Sequence, residues 1–164
     1  MKKIIALGIA LTLAGCISLN PPEWTPVTSE REKEYQPYFE KGKETLSGQA
    51  FMVQMGGNAV KAAGMEVTLD PATSIGNEWW GKSGRQWAWR NATPPSQAFQ
   101  KARRTTIADA EGRFKFANLP TGKYHVRSAV TWFAGDVVQG GLVGRTVEIE
   151  SGVPMEVVLN RFYE

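Results

Sequence analysis

The residues able to do chemistry in this chain are concentrated in one stretch, residues 75–102. It holds Trp79, Trp80, Trp87 and Trp89, four of the six tryptophans in the sequence. Lys82, Arg85, Arg90 and Lys101 lie among them, with Arg103 and Arg104 immediately after, and only Glu78 opposes that charge. An indole offers a flat apolar face and one N–H, which suits stacking on a sugar ring or covering apolar surface. A guanidinium beside it stacks as well as pairs with anions. Three outcomes are open for such a segment. It forms a satellite core that fastens itself to the fold, or a surface for glycan, peptidoglycan or lipopolysaccharide, or a docking surface for a protein, since Trp and Arg are frequent interface anchors. The candidate binding residues are Trp79, Trp80, Trp87, Trp89, Arg85 and Arg90.

Elsewhere the chemical inventory is thin. His125 is the only histidine, and its place in an alternating run is that of a surface or rim residue of a strand. Without a second His or a nearby thiol, a zinc site lacks ligands. No G-x-S-x-G elbow is present. The glycines from Gly140 to Gly144 lack the Lys-Ser/Thr of a phosphate loop. Asp109-Ala110-Glu111-Gly112 is turn chemistry, without the later ligands of a calcium loop. A hydrolase would need Asp70, Glu78 and Asp109 to converge from different segments, which nothing in their spacing demands. The sequence therefore names no catalytic residue, no metal ligand and no cofactor, and the chain reads as non-enzymatic.

The amino terminus addresses the protein. Met1-Lys2-Lys3 followed by the apolar run Ile4–Ala14 is too short for a membrane span and fits a secretory signal. It ends in Leu13-Ala14-Gly15-Cys16, which resembles a bacterial lipobox, and Cys16 is the only cysteine of the chain. That resemblance implies cleavage after residues 1–15 and lipidation at Cys16, with more than one acyl chain for stable anchoring. The mature protein would keep no other thiol and hence no disulfide. Ile17, where an Asp would retain a Gram-negative lipoprotein at the inner membrane, implies the outer membrane and its periplasmic face. Removal of the signal leaves 149 residues carrying 17 basic and 16 acidic side chains. Charge thus gives no ground for a nucleic-acid partner. Residues 16–45 read as a tether. Pro21, Pro22 and Pro26 extend it, and Ser29-Glu30-Arg31-Glu32 matches a capping box that opens a short helix, ended or kinked by Pro37. Tyr38 and Phe39 are expected to pack on the edge of the following domain.

The elements that position the tryptophan segment are strands. Leu46–Gln54, Met65–Asp70, Thr105–Ile107, Phe114–Phe116, Tyr124–Thr131, Arg145–Glu150 and Met155–Leu159 are rich in β-branched or alternating apolar residues. Turn residues separate them: Asp109–Gly112, Asn118–Gly122 and Ser151–Pro154 each read as a reversal between neighbouring strands. Gly135–Gly141, with its three glycines, reads as a loop. About seven short strands with turns between them predict an all-β, antiparallel β-sandwich over residues 46–164, interrupted by the long segment at 75–102. A segment of that length inside a compact domain is usually functional or has structure of its own.

The opening Leu46–Phe51 strand, Gly64-Met65-Glu66-Val67-Thr68-Leu69, the Thr105–Val130 block and the closing Val147–Leu159 segment resemble the carboxypeptidase regulatory-like domain. The shared pattern is T-x-x-D-x-x-G-x-F-x-F followed by L-P-x-G-x-Y-x-V. The resemblance covers roughly residues 46–160 and implies a transthyretin-like, carbohydrate-binding-like sandwich used as an accessory or binding module. The tryptophan segment departs from the family pattern. The expected protein is a lipid-anchored envelope module, binding carbohydrate or peptidoglycan, or serving as the accessory subunit of an envelope complex that docks a protein through the insertion.

Overall fold

The computed structural model describes residues 20–162. The expected signal sequence, residues 1–15, and the expected lipidation site Cys16 lie outside them. Eight strands run in the order β1 Glu44–Val53, β2 Ala59–Lys61, β3 Glu66–Pro71, β4 Arg104–Ile107, β5 Arg113–Leu119, β6 Gly122–Ala134, β7 Val137–Ile149 and β8 Met155–Leu159. They form two sheets. In the first, β1 is flanked by β2 and β5, and β8 also pairs with it; the second has the order β4-β3-β6-β7. The result is an all-β sandwich, as the strand pattern predicts, with β2 as a short addition.

The inner faces of both sheets make the main core. Leu46, Ala50, Val67, Leu69, Phe114, Phe116, Tyr124, Val126, Val143 and Leu159 are among its buried side chains. Their alternation along each strand is the period-2 signal of a face turned inward. Along β6, however, both faces are covered: Tyr124 and Val126 point into the sandwich core, while His125 and Arg127 are buried on the opposite side. That second cover is the tryptophan segment.

Three of the expected reversals are not hairpins. The Asp109–Gly112 turn joins β4, which pairs with β3, to β5, which pairs with β1. Asn118–Gly122 likewise carries the chain from the first sheet to the second. Ser151–Pro154 takes it back, and β8 lies parallel to β1, Leu46 opposite Met155 and Ala50 opposite Leu159. Local turn chemistry sets the reversal of direction. Which ladder each strand joins is set by burying its apolar side between two sheets. The glycine-rich Gly135–Gly141 stretch is mostly strand rather than loop: β6 and β7 form one long hairpin closed by Gly135-Asp136, with Ala134 opposite Val137. Gly135 has φ +61°, the positive value that the first central position of a two-residue II′ hairpin reserves for glycine.

The segment between β3 and β4 contains three helical pieces: α3 Ser74–Trp79, a π-helical turn Trp80–Gly84, and α4 Gln97–Ala102. Before the sandwich come α1 Ser29–Lys33 and α2 Gln36–Phe39. The N-cap of α1 is Thr28, whose hydroxyl accepts from the Arg31 N–H, rather than Ser29. Pro37 sits in the first turn of α2, where the missing N–H costs nothing, so it starts a second helix instead of only ending the first. Tyr38 packs edge-on against Tyr124, ring centroids 5.2 Å apart.

Candidate functional site

The outer face of the β4-β3-β6-β7 sheet carries polar side chains in cross-strand rows. Asp70 on β3 lies opposite His125 on β6, which lies opposite Thr146 on β7; one row away, Thr68 lies opposite Arg127, which lies opposite Gly144. A face of this kind is ordinarily solvated. Here the insertion roofs its first rows with aromatic rings, and each polar group is given a partner or left to a crevice.

Trp80 stacks flat on His125, ring centroids 4.6 Å apart and planes 5° apart. Its far edge rests over Gly144, where an added Cβ would lie 2.8 Å from the indole and 2.6 Å from the Val126 carbonyl. His125 is 3% exposed, so it is a buried residue and not the rim residue its strand position suggests. Its Nε2–H donates to Asn77 Oδ1 and its Nδ1 accepts from the Thr146 hydroxyl, both at 2.9 Å. Burial lowers the imidazole from its ordinary value to about 4, holding it neutral.

Trp79 is fully buried between two guanidiniums, Arg103 at 4.8 Å and Arg127 at 4.9 Å from its ring centre. Arg103 also makes a two-pronged pair with the wholly buried Asp70, at 2.7 and 3.1 Å. Burial pushes the Asp70 carboxyl up from its ordinary value, and Arg103 opposes that shift. Arg127 has no such carboxylate. Its Nη1 donates to the Gly84 carbonyl at 3.2 Å and its Nη2 to the Arg90 carbonyl at 3.1 Å. Burial first, and then the nearby charge of Arg103, lower it to about 10, which leaves it cationic at neutral pH.

The insertion is held from its other side by the segment before the sandwich. Tyr35, Ile75, Trp79, Trp80, Phe99 and Ala102 form a second core, with Trp24, Val27 and Phe39 packed against it. Glu34 accepts from the Ser74 N–H and hydroxyl at the start of α3, at 2.6 and 2.7 Å. Glu32 accepts from the Ser96 hydroxyl and the Ala98 N–H at the start of α4. The expected capping-box carboxylate thus serves a helix 64 positions away along the chain, where it meets the positive end of the peptide dipoles. Glu78 binds Arg31 at 2.7 Å and Lys82 at 2.8 Å. Burial alone would raise its carboxyl, but Lys82, the Thr25 N–H and Arg31 together hold it at about 2.

The candidate residues therefore separate. Trp79 and Trp80 are core side chains, at 0% and 7% exposure, so the four rings do not make one platform. Apolar area that large is covered wherever the fold offers a wall. Trp87 is 41% exposed, and Arg90 lies over its face at 4.2 Å. Trp89 is half-buried, and Arg85 is exposed beside Phe162, 5.6 Å from the ring centre. Asp70 and Glu78 are engaged with basic partners, and Asp109 accepts from the Glu111 and Arg113 N–H groups of its own turn. These three carboxylates are not assembled in a cleft.

What the roof leaves uncovered is a crevice of about 210 Å³, lined by Met65, Glu66, Thr68, Arg90, Asn91, Arg127, Ser128, Ala129 and Leu142. It opens beside the Trp87–Arg90 pair. Ser128 Oγ donates to the Glu66 carbonyl within it at 3.0 Å. The Thr68 hydroxyl, on a residue only 4% exposed, is buried there without a hydrogen-bond partner among the described residues. Thr68, Asn91 and Arg127 carry no sequence signal of a site. Only the register of β3 and β6 and the path of the insertion bring them to Arg90.

No family model and no curated protein matches this chain. Among solved structures, a candidate carbohydrate-binding protein of Pseudomonas aeruginosa shares 26% identity with it, with a TM-score of 0.68 over 87% of this chain and 100% of that one. The major pilin subunit of Bacillus cereus aligns at 16% identity and a TM-score of 0.42, over 73% of this chain and 30% of that one. That second likeness is too slight to carry weight. The first supports the fold over nearly the whole described chain.

Proposed function

We propose that this chain is a non-enzymatic, lipid-anchored module of the bacterial envelope that binds carbohydrate in the crevice between the insertion and the β4-β3-β6-β7 sheet. The observation that carries the reading is the crevice itself. Arg90, whose guanidinium lies over the exposed Trp87 ring, also lines a small pocket where hydroxyl, amide and guanidinium groups stand beside the apolar Met65, Ala129 and Leu142. Sugars are recognised by that combination of a flat apolar wall and fixed polar partners. The likeness to a candidate carbohydrate-binding protein supports the same class of ligand, as does the resemblance to the carboxypeptidase regulatory-like family. Peptidoglycan is the polymer within reach of a lipid at Cys16 on the periplasmic face of the outer membrane.

The test is retention of the detergent-solubilised full-length protein on peptidoglycan and on a panel of polysaccharides. Wild type is expected to be retained on at least one of them, and the Trp87→Ala/Arg90→Ala double variant to be lost from it while keeping its circular dichroism. Equal retention of both proteins rejects the crevice. Cys16→Ala is expected to move the protein from the membrane to the soluble fraction of cells, and unchanged fractionation rejects the anchor.

A second reading, an accessory subunit docking a protein partner, draws on a separate surface. Phe133, Val137 and Val138 at the β6–β7 tip and Val53 and Met55 at the β1–β2 turn are all exposed. Cross-linking in intact cells distinguishes the two: a single stoichiometric protein partner joined through that tip favours docking.

A further inference from the structure

Two features of the crevice are unexplained by folding alone. Arg127 is a buried cation whose two bonded N–H groups go to backbone carbonyls, and among the described residues no carboxylate pairs with it. Asp70, the acid nearest in the fold, is taken by both prongs of Arg103. Asp70 and Glu66 act on Arg127 only through space and Trp79 covers one face of it, so the buried guanidinium has no direct ionic bond among the described residues. Thr68, directly across the strand pair from Arg127, holds a buried hydroxyl with no hydrogen-bond partner among the described residues. An unmet buried hydroxyl is also unfavourable. Both groups line the same pocket, and Arg90 brings a second guanidinium to it. Glu66 is the one acid in that lining, so the crevice carries a net positive charge.

We infer that the crevice is a subsite for an acidic sugar unit, whose carboxylate sits between Arg127 and Arg90 and accepts the Thr68 hydroxyl proton. This rests on the carbohydrate reading above and specifies the ligand class. At about 210 Å³ the pocket is smaller than the usual range for a whole ligand. It takes one ring bearing the acid group, and the rest of the polymer runs out over Trp87. Asn91, on the rim, supplies an amide to ring hydroxyls. A guanidinium pair suits a planar carboxylate because its N–H groups match two oxygens.

The probes are oligogalacturonate and its methyl ester, which share every ring and differ in charge, with inorganic phosphate as a third arm. Calorimetry on the full-length protein in detergent is expected to show the acid binding at least about tenfold tighter than the ester, with affinity falling as salt rises. Thr68→Val keeps the side-chain shape and removes only the unpartnered hydroxyl. It is expected to leave stability unchanged or higher and to weaken the acid by about tenfold or more. Arg90→Gln is expected to weaken the acid by a larger factor than the ester, because only the acid loses an ionic partner.

Equal binding of acid and ester overturns the acidic assignment and leaves a neutral-sugar crevice standing. Binding of neither oligomer, with retention on the polysaccharide panel still lost in the Trp87/Arg90 variant, likewise overturns the assignment alone. If that retention is also absent, the carbohydrate reading fails with it. Phosphate bound as tightly as the uronate shows a general anion site and overturns the sugar specificity. A Thr68→Val variant with wild-type affinity removes the role given to the hydroxyl.

Discussion

Acid should loosen this protein through one side chain, in a pH range where no other histidine titrates. His125 is the only histidine, and its imidazole is held neutral under Trp80 with a folded value of about 4 against 6.5 for the free group. Because the folded value is depressed, the unfolded chain binds the proton more readily. The contribution of the buried neutral ring is full above pH 6.5 and is lost as pH falls toward 4. Between pH 7.5 and 5, linkage across that gap removes about 2 kcal/mol. For a domain of this size, that is a fall of roughly 4–8 °C in Tm. Urea unfolding of wild type and His125→Gln at both pH values measures it. The variant is expected to start less stable, having lost the stacked ring, and to show a flatter pH profile. The difference between the two profiles isolates the imidazole from the carboxylates. Identical slopes in both proteins would refute the reasoning, and so would a wild-type stability that is flat over this range. The latter result would mean that the indole face stabilises the imidazolium as well as it does the neutral ring.

Three further perturbations probe how the insertion is held. Asp70→Asn leaves Arg103 beside Arg127 without its carboxylate, and on the order of 3 kcal/mol should be lost in urea unfolding. Glu34→Ala removes both acceptors at the start of α3; it should cost about 1 kcal/mol and make the 20–40 segment more susceptible to limited proteolysis. Gly144→Ala forces a methyl against the Val126 carbonyl and the Trp80 ring, and should cost about 1–3 kcal/mol with a red shift of tryptophan emission. Unchanged emission in that last variant would show that Trp80 is not seated on β7.

The strand positions were legible because they are written locally. Alternation in Phe114–Phe116 and Tyr124–Thr131, β-branching in Thr105–Ile107 and the turn residues between them state where the chain extends and where it reverses. The pairing was not legible, because a turn such as Asp109–Gly112 is compatible with a hairpin or with a passage between sheets. β2 was missed because three residues, Ala59–Lys61, are too few to show alternation. The site was half legible. Tryptophan and arginine density marked the insertion, but composition is silent on which rings face inward.

By itself the sequence determined a β-sandwich and the place of its insertion, since each is carried by neighbouring residues. Tertiary structure decided that Trp79 and Trp80 are roof and Trp87 is rim, and that His125 is buried. It also decided that Glu32 and Glu34 cap helices far along the chain and that Thr68 and Arg127 share a crevice with Arg90. Those outcomes depend on which surfaces are covered once two sheets and an insertion compete for the same apolar contacts. That competition is settled by burial across long sequence separations, and no local pattern records it.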